Sequence, residues 1–107
     1  MKYRITQKES IHHARPGVDG HYYNLAEVAG GTTVAYAEIN GEHGERTIGN
    51  RERIYFILEG TARFIINGEE FEAHTGDLVT IPPLATYNLW PKTEKIKILL
   101  YLELIQF

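Results

Sequence analysis

The chain has 107 residues, 43% of them hydrophobic, which is enough for one folded core. Eleven Lys and Arg against fourteen Asp and Glu give a formal net charge of −3, which argues against a nucleic-acid partner, and the absence of cysteine excludes disulfides, thiolate metal sites and a cysteine nucleophile. Because no run reaches about 18 apolar residues and the start lacks the apolar segment of a signal peptide, we expect a cytoplasmic protein with no membrane partner.

Residues 1–20 form a polar N-terminal arm, in which we expect a short strand at most and then a turn-rich loop. Beyond the arm, short runs of β-branched and aromatic residues alternate with Asn-Gly, Gly-Gly and proline turn signals. These runs predict strands over residues 22–28, 32–39, 54–58, 62–66, 71–74, 78–81, 87–90 and 96–107. No segment has convincing helical periodicity, and eight or nine short strands with regular turns are typical of an all-β sandwich or barrel.

Two central segments carry a family resemblance. The first, residues 52–60, starts with an acidic residue, continues through an apolar run and closes on Gly60. The second, residues 76–83, turns at Gly-Asp, runs through a strand and stops at two prolines. In this order they resemble the paired motifs of the cupin family, over roughly residues 34–90. The resemblance implies an all-β, cupin-type jelly-roll barrel, which we expect to occupy residues 1–107 as one domain.

The resemblance also identifies positions where cupins typically hold a divalent metal with three histidines and a glutamate. No usual ligand stands at those positions, which carry Arg53, Tyr87, and either Arg46 with Ile48 or Thr47 with Gly49. A guanidinium has no lone pair to give, and its charge repels a cation. We therefore expect a chain without the usual metal ligands and with no cofactor.

An irregular metal site is the alternative to a metal-free barrel. His43 lies in a loop near the place where the first metal motif should begin. His74 and Glu52 are the other residues that would act as unrecognised ligands. His12 and His13 are adjacent, so on a strand they face opposite sides and cannot chelate together.

Arg53 is the most informative residue of the first motif. The resemblance implies that its side chain points into the barrel with Tyr55 and Ile57, whereas periodicity alone favours the opposite face of the strand. An inward charge is costly unless it is paired. Two interpretations follow: an ion pair with a barrel carboxylate such as Glu27 or Glu38, or capture of an anionic ligand by the guanidinium.

We interpret the chain as a binding module whose barrel takes a small polar or anionic molecule, such as a sugar derivative or organic acid, without a metal. The predicted ligand-binding residues are Arg53, Tyr55, Tyr87, Asn88, Tyr36 and Trp90. The alternative is an enzyme: a metal-free sugar epimerase or isomerase with Tyr87 as the candidate acid, or a metal-dependent oxygenase or isomerase with unusual ligands. No partner base for Tyr87 stands out, although His43 or a barrel carboxylate is a candidate.

The C-terminal segment predicts a protein partner. Residues 95–107 are apolar on both faces of a strand, and a strand of that kind must be covered on both sides. In so small a barrel one face is free to meet a second subunit. We therefore expect a homodimer.

Overall fold

The computed structural model describes residues 3–27 and 30–106, which form ten strands and one short 3-10 turn at Gln7–Glu9. The predicted strand ends at Val28 and Phe107 lie outside the described residues. In chain order the strands are β1 (Ile11–Arg15), β2 (Val18–Leu25), β3 (Thr32–Ile39), β4 (Arg46–Thr47), β5 (Arg53–Glu59), β6 (Thr61–Ile66), β7 (Glu69–His74), β8 (Leu78–Ile81), β9 (Thr86–Pro91) and β10 (Ile96–Glu103).

The strands form two antiparallel sheets that enclose one core. The larger sheet has the order β1-β2-β3-β10-β5-β8, and the smaller has the order β4-β9-β6-β7. This is the all-β jelly-roll architecture that the paired motifs imply. Within residues 3–27 and 30–106 no helix has the length and apolar character needed to span a membrane.

The N-terminal arm contains more strand than its sequence predicts. All of β1 and the start of β2 fall within residues 1–20, and the two strands pair along the full length of β1 through a turn at Gly17. Because β1 lies at the edge of the sheet and most of its residues are exposed, it tolerates the polar side chains that suggested a loop. The arm thus contributes two strands to the larger sheet.

Two of the predicted turn signals have the backbone geometry that they require. Asn67 and Gly68, between β6 and β7, both have positive φ, as a two-residue hairpin turn demands. Gly60, which closes the first motif, has a φ of 96°, and a Cβ there would lie 2.7 Å from the carbonyl oxygen of Lys95. Only glycine fits this position without moving the backbone.

The interior is filled by the side chains at alternate positions of the strands. The fully buried large side chains include an aromatic group at the centre, where Tyr55 meets Phe64 and Tyr87 edge to face. The inward positions of β10 add Ile96, Ile98 and Leu102. This packed interior leaves room at one end of the barrel, where the candidate site lies.

Candidate functional site

A cleft at one end of the barrel is lined by several arginine and histidine side chains. It has a volume of about 180 Å³. We call it the barrel cleft, and its lining residues are His13, Arg15, Tyr22, His43, Arg46, Arg53, Leu100, Leu102 and Ile105. Three guanidinium groups and two imidazoles therefore face one small space.

The alternation of β5 places Arg53 inside. Tyr55 and Ile57 are 0% exposed, whereas the residues between and beyond them, Phe56 and Leu58, are 37% and 38% exposed. Because side chains alternate across a strand, Arg53 lies on the same face as Tyr55. This is the orientation that the resemblance implies and that periodicity alone disfavours.

Arg53 connects the barrel cleft to a hydrogen-bonded network in the interior, since Tyr55 and Tyr87 are 0% and 1% exposed and do not themselves line the cleft. Its Nη2 donates to Glu103 Oε1 at 2.8 Å, and its Nη1 donates to the Tyr87 hydroxyl at 3.2 Å. The hydroxyls of Tyr87 and Tyr55 are 2.7 Å apart. Burial raises the pKa of Tyr55 well above its ordinary value, so this residue keeps its proton at neutral pH. The network links a cation, two phenols and a carboxylate.

The carboxylate partner of Arg53 is one that the sequence does not single out. Glu38 pairs instead with Lys95 on the surface, and Glu27 is exposed. Partial burial is the largest single influence on the pKa of Glu103 and pushes it upward, but the hydrogen bond from Arg53, a backbone hydrogen bond and the charges of Arg53 and Arg51 together lower it. Arg53 Nε and Glu103 Oε2 are buried and make no hydrogen bond to the described residues, so both retain capacity for a further polar partner.

His43 supplies a neutral imidazole beside this network. Its Nδ1 lies 2.9 Å from the carbonyl oxygen of Gly44, so Nδ1 carries a proton and donates it, which leaves the Nε2 lone pair free. Burial lowers the pKa of His43 to about 4, despite the hydrogen bond to Gly44, and the charges of nearby arginines lower it further. Its ring centroid lies 5.6 Å from that of Tyr87. At neutral pH the pair therefore combines a proton acceptor with a phenol.

Asn88 holds the loop that carries His43 but does not face the cleft. Its Oδ1 accepts from the backbone N–H of Gly44 at 2.9 Å, and its Nδ2 donates to Glu42 Oε2 at 2.8 Å. The backbone N–H of His43 also donates to the carbonyl oxygen of Leu89 at 2.9 Å. From the outer side of β9, Asn88 thus holds the loop whose residue His43 carries the imidazole.

The other two predicted ligand residues also lie outside the barrel cleft. Tyr36 alternates with the buried Ala35 and Ala37 on β3 and faces outward. Trp90 stacks with the guanidinium of Arg63, whose Cζ lies 5.5 Å from the centroid of the Trp90 ring. Trp90 and Asn88 also line an outer groove of about 420 Å³. The structure therefore brings together Arg53, Tyr55 and Tyr87, and separates them from Tyr36, Asn88 and Trp90.

The residues of the irregular metal alternative are also separated. His43 lines the barrel cleft, whereas Glu52 is exposed beside β5 and His74 is exposed at the end of β7, near Thr61. Arg46 and Tyr87, at positions where cupins typically carry histidines, are cross-strand neighbours on β4 and β9. The imidazoles that line the cleft are those of His13 and His43.

Sequence reasoning missed the contribution of the arm to the cleft. Arg15 and Tyr22 reach it from β1 and β2, and His13 lies on the same face. The period-2 alternation from His13 to Arg15 was the available signal, but the polar composition of residues 1–20 masked it. No local sequence pattern indicates the contact of Glu103 with Arg53, since this contact depends on the pairing of β10 with β5.

Replacing Glu103 with glutamine is expected to lower the free energy of unfolding by about 2 kcal/mol, because Arg53 loses its charged partner in a partly buried site. The value lies below that of a fully buried pair, since a third of the Glu103 side chain is exposed. Urea unfolding at neutral pH measures it. Glu70→Gln is the matched control, because Glu70 pairs with Arg63 on the surface and its loss should cost less than about 1 kcal/mol. Equal losses in the two variants would contradict the prediction.

The family model described as a cupin domain matches residues 36–101. No curated protein matches the sequence. Among solved structures, Streptomyces Pac13 with uridine superposes with a TM-score of 0.80 and 22% identity, covering 99% of this chain and 86% of that one. Another Pac13 structure, described as that of a unique nucleoside dehydratase, gives the same TM-score and coverage at 23% identity. A predicted oxalate decarboxylase from Thermotoga maritima gives 0.79 and 17%, covering 95% and 99%. At these identities the likeness concerns the fold.

Proposed function

Because the chain belongs to the cupin family, we propose that its barrel cleft binds a small polar molecule carrying an anionic group, and that it does so without a metal. The observation that carries this proposal is the charge of the cleft. Arg15, Arg46 and Arg53 converge there, and Glu103 pairs with Arg53 alone. A carboxylate or phosphate would balance the remaining positive charge, since guanidinium groups grip such anions with two hydrogen bonds.

The ion pairs of the chain support an anionic ligand. Within residues 3–27 and 30–106, neither Arg15 nor Arg46 has a carboxylate oxygen within 4.0 Å of its guanidinium. Two unpaired arginines at one mouth raise the local positive potential, although the whole chain is acidic. Such a mouth attracts anions.

The donor set of the cleft supports binding without a metal. A divalent cation prefers several imidazoles and carboxylates around one point. Here the carboxylate of Glu103 is engaged by Arg53, and the guanidinium groups neither donate a lone pair nor tolerate a nearby cation. These residues do not fit a metal.

A nucleoside and its monophosphate together test the anionic-ligand proposal. Pac13 structures contain uridine, so uridine and uridine 5′-monophosphate are the probes, because they differ only in the phosphate. Calorimetry is expected to show tighter binding of the monophosphate, and Arg46→Met should weaken it by about tenfold or more, the value of one charge-assisted hydrogen bond. Arg63→Met is the control, since Arg63 faces outward on β6. Equal affinity of Arg46→Met and the wild type for the monophosphate would refute the role of the arginines.

A second candidate function, acid–base catalysis, is favoured by the contact of His43 with Tyr87. In this proposal His43 Nε2 removes a proton from a carbon next to a carbonyl group. Tyr87 donates its own proton to the oxygen that gains charge. Tyr87 accepts from Arg53, and in this proposal it also accepts from Tyr55, whose hydroxyl is 2.7 Å away, so that its own hydrogen is left for the substrate. Return of a proton from His43 to the carbon and of the enol proton to Tyr87 restores both residues, and protonation of the opposite face of the carbon would invert the centre.

We also propose that the protein is a homodimer through the outer face of the larger sheet. That face carries exposed apolar side chains in one row, in which Leu99 is paired with Tyr36 and Phe56, and Phe56 with Leu78. The row holds no charged group, so it is compatible with a second copy of itself across a two-fold axis. Burial of these side chains against a second copy would remove apolar surface from water, which is favourable.

Light scattering tests the dimer. The wild type is expected to have twice the mass of one chain at micromolar concentration, and Leu99→Glu is expected to be monomeric, because it places a charge at the centre of the apolar row. Leu84→Glu is the control, since Leu84 is an exposed leucine in the loop between β8 and β9 and is not part of the apolar row. A monomeric wild type would refute the proposal.

A further inference from the structure

A second group of polar side chains lies on the outer side of the β1–β2 pair, away from the barrel cleft. His12 and His21 are directly opposite each other in this pairing, and Asp19 lies two residues before His21 on the same face of β2. The two imidazole rings are stacked, with centroids 4.5 Å apart and planes inclined by 9°. His12 Nε2 also contacts Asp19 Oδ1. One ligand atom from each of the three residues lies within 4.8 Å of the others.

We propose that His12, Asp19 and His21 form a Zn²⁺ site that joins β1 to β2. Two imidazoles and one carboxylate are a usual set of three protein ligands for this ion, with water in the fourth position. Tetrahedral coordination at ordinary bond lengths needs ligand atoms about 3.4 Å apart, so small side-chain rotations complete the site. Among the described residues no other group of three such side chains converges in this way.

Ser10 prepares His21 for this role. The Ser10 hydroxyl donates its only proton to the carbonyl oxygen of Gln7 at 2.6 Å, so at 3.1 Å from His21 Nδ1 it acts as an acceptor. His21 therefore carries its proton on Nδ1 and presents the Nε2 lone pair. An oxygen acceptor on the second ring nitrogen is the usual outer partner of a metal-binding histidine, and it fixes the orientation of the ring.

The site is independent of the barrel cleft but lies behind its wall. His13 follows His12 on β1 and faces the cleft, together with Arg15 and Tyr22. Within the described part of the chain β1 is the edge strand and its one neighbour is β2, so a metal bridge between these strands would hold the wall of the cleft in place. The side chains of His12 and Asp19 are each 56% exposed, so the ion can reach them from solvent.

Calorimetric titration with Zn²⁺ tests the site, using tag-free protein that has been treated with a chelator and dialysed. The wild type is expected to bind one equivalent, and the ion should raise its melting temperature. His12→Ala and Asp19→Asn are each expected to lose at least about tenfold in affinity and most of the thermal shift. His74→Ala is the matched control, because it removes an exposed histidine from β7 and should leave binding unchanged.

Three results would each overturn the site. The first is a wild type that binds no stoichiometric Zn²⁺, and the second is a His12→Ala variant that binds it as tightly as the wild type. The third is loss of Zn²⁺ binding in His43→Ala alone, which would place the ion in the barrel cleft and also refute the metal-free proposal. Circular dichroism verifies that each variant is folded. Histidine ring resonances of the wild type give a test that needs no variant, since Zn²⁺ should shift those of His12 and His21 and spare that of His74.

Discussion

Acidifying the protein from pH 7 to pH 4 is expected to remove about 3 kcal/mol of its unfolding free energy through His43 alone. The folded-state pKa of this residue is about 4, below its ordinary value of 6.5, because burial disfavours the charged imidazole. Below pH 6.5 the unfolded chain binds a proton at this position and the folded chain does not. Stability is therefore complete above pH 6.5 and falls as the pH drops toward 4.

Urea unfolding at a series of pH values measures this loss. His43→Gln removes the titrating group, so its unfolding free energy should change less between pH 7 and pH 4 than that of the wild type, by about 3 kcal/mol. His74→Gln removes a histidine outside the cleft and serves as the control. The lowered pKa of Glu103 adds an acid loss of its own, which is common to all three proteins. An acid profile of His43→Gln that matches the wild type would contradict the assignment of a buried neutral imidazole.

Much of the fold could be predicted from local signals. The Asn67-Gly68 turn and the glycine at position 60 sit where the backbone needs positive φ, and each marks a strand end correctly. Periodicity failed on β5, where both faces of the strand carry apolar residues and alternation alone cannot say which is inside. The cupin resemblance supplied the missing information, and it placed Arg53 on the inner face. The strands of the N-terminal arm were not predicted for a different reason: an edge strand that is largely exposed has no apolar pattern to detect.

The site was less predictable, because it depends on contacts between distant parts of the chain. Glu103 reaches Arg53 only because β10 lies between β3 and β5, an order that no local signal encodes. Alternation along β9 could have corrected one prediction. Tyr87 and Asn88 are neighbours on this strand, so their side chains face opposite sides of the sheet and cannot both face the interior. Asn88 therefore acts on the loop of His43 from outside. The identity of the candidate base, which the sequence left open, came from the burial of that loop.

Replacing His43 with glutamine is expected to slow proton transfer by about 10²–10⁴-fold, the usual contribution of a positioned base. Glucuronate in D₂O is the probe, since its α-carbon proton is acidified by the aldehyde of the open form and its carboxylate suits the arginines of the cleft. Exchange of that proton for deuterium, followed by NMR, measures the transfer. Tyr87→Phe should be slowed as well, because it removes the donated proton, whereas His74→Gln should exchange at the wild-type rate.

The pH dependence of the exchange separates a base in the cleft from a structural histidine. Since the pKa of His43 is about 4, the imidazole stays a lone-pair acceptor well below pH 6.5, and the acid limb of the rate should fall near pH 4. A histidine that merely supports the loop would leave the position of this limb unchanged when replaced by glutamine. If the wild type exchanges the proton no faster than His43→Gln does, the acid–base proposal is wrong and the cleft only binds its ligand. The proposal of an anionic ligand would then rest on the nucleotide titration alone.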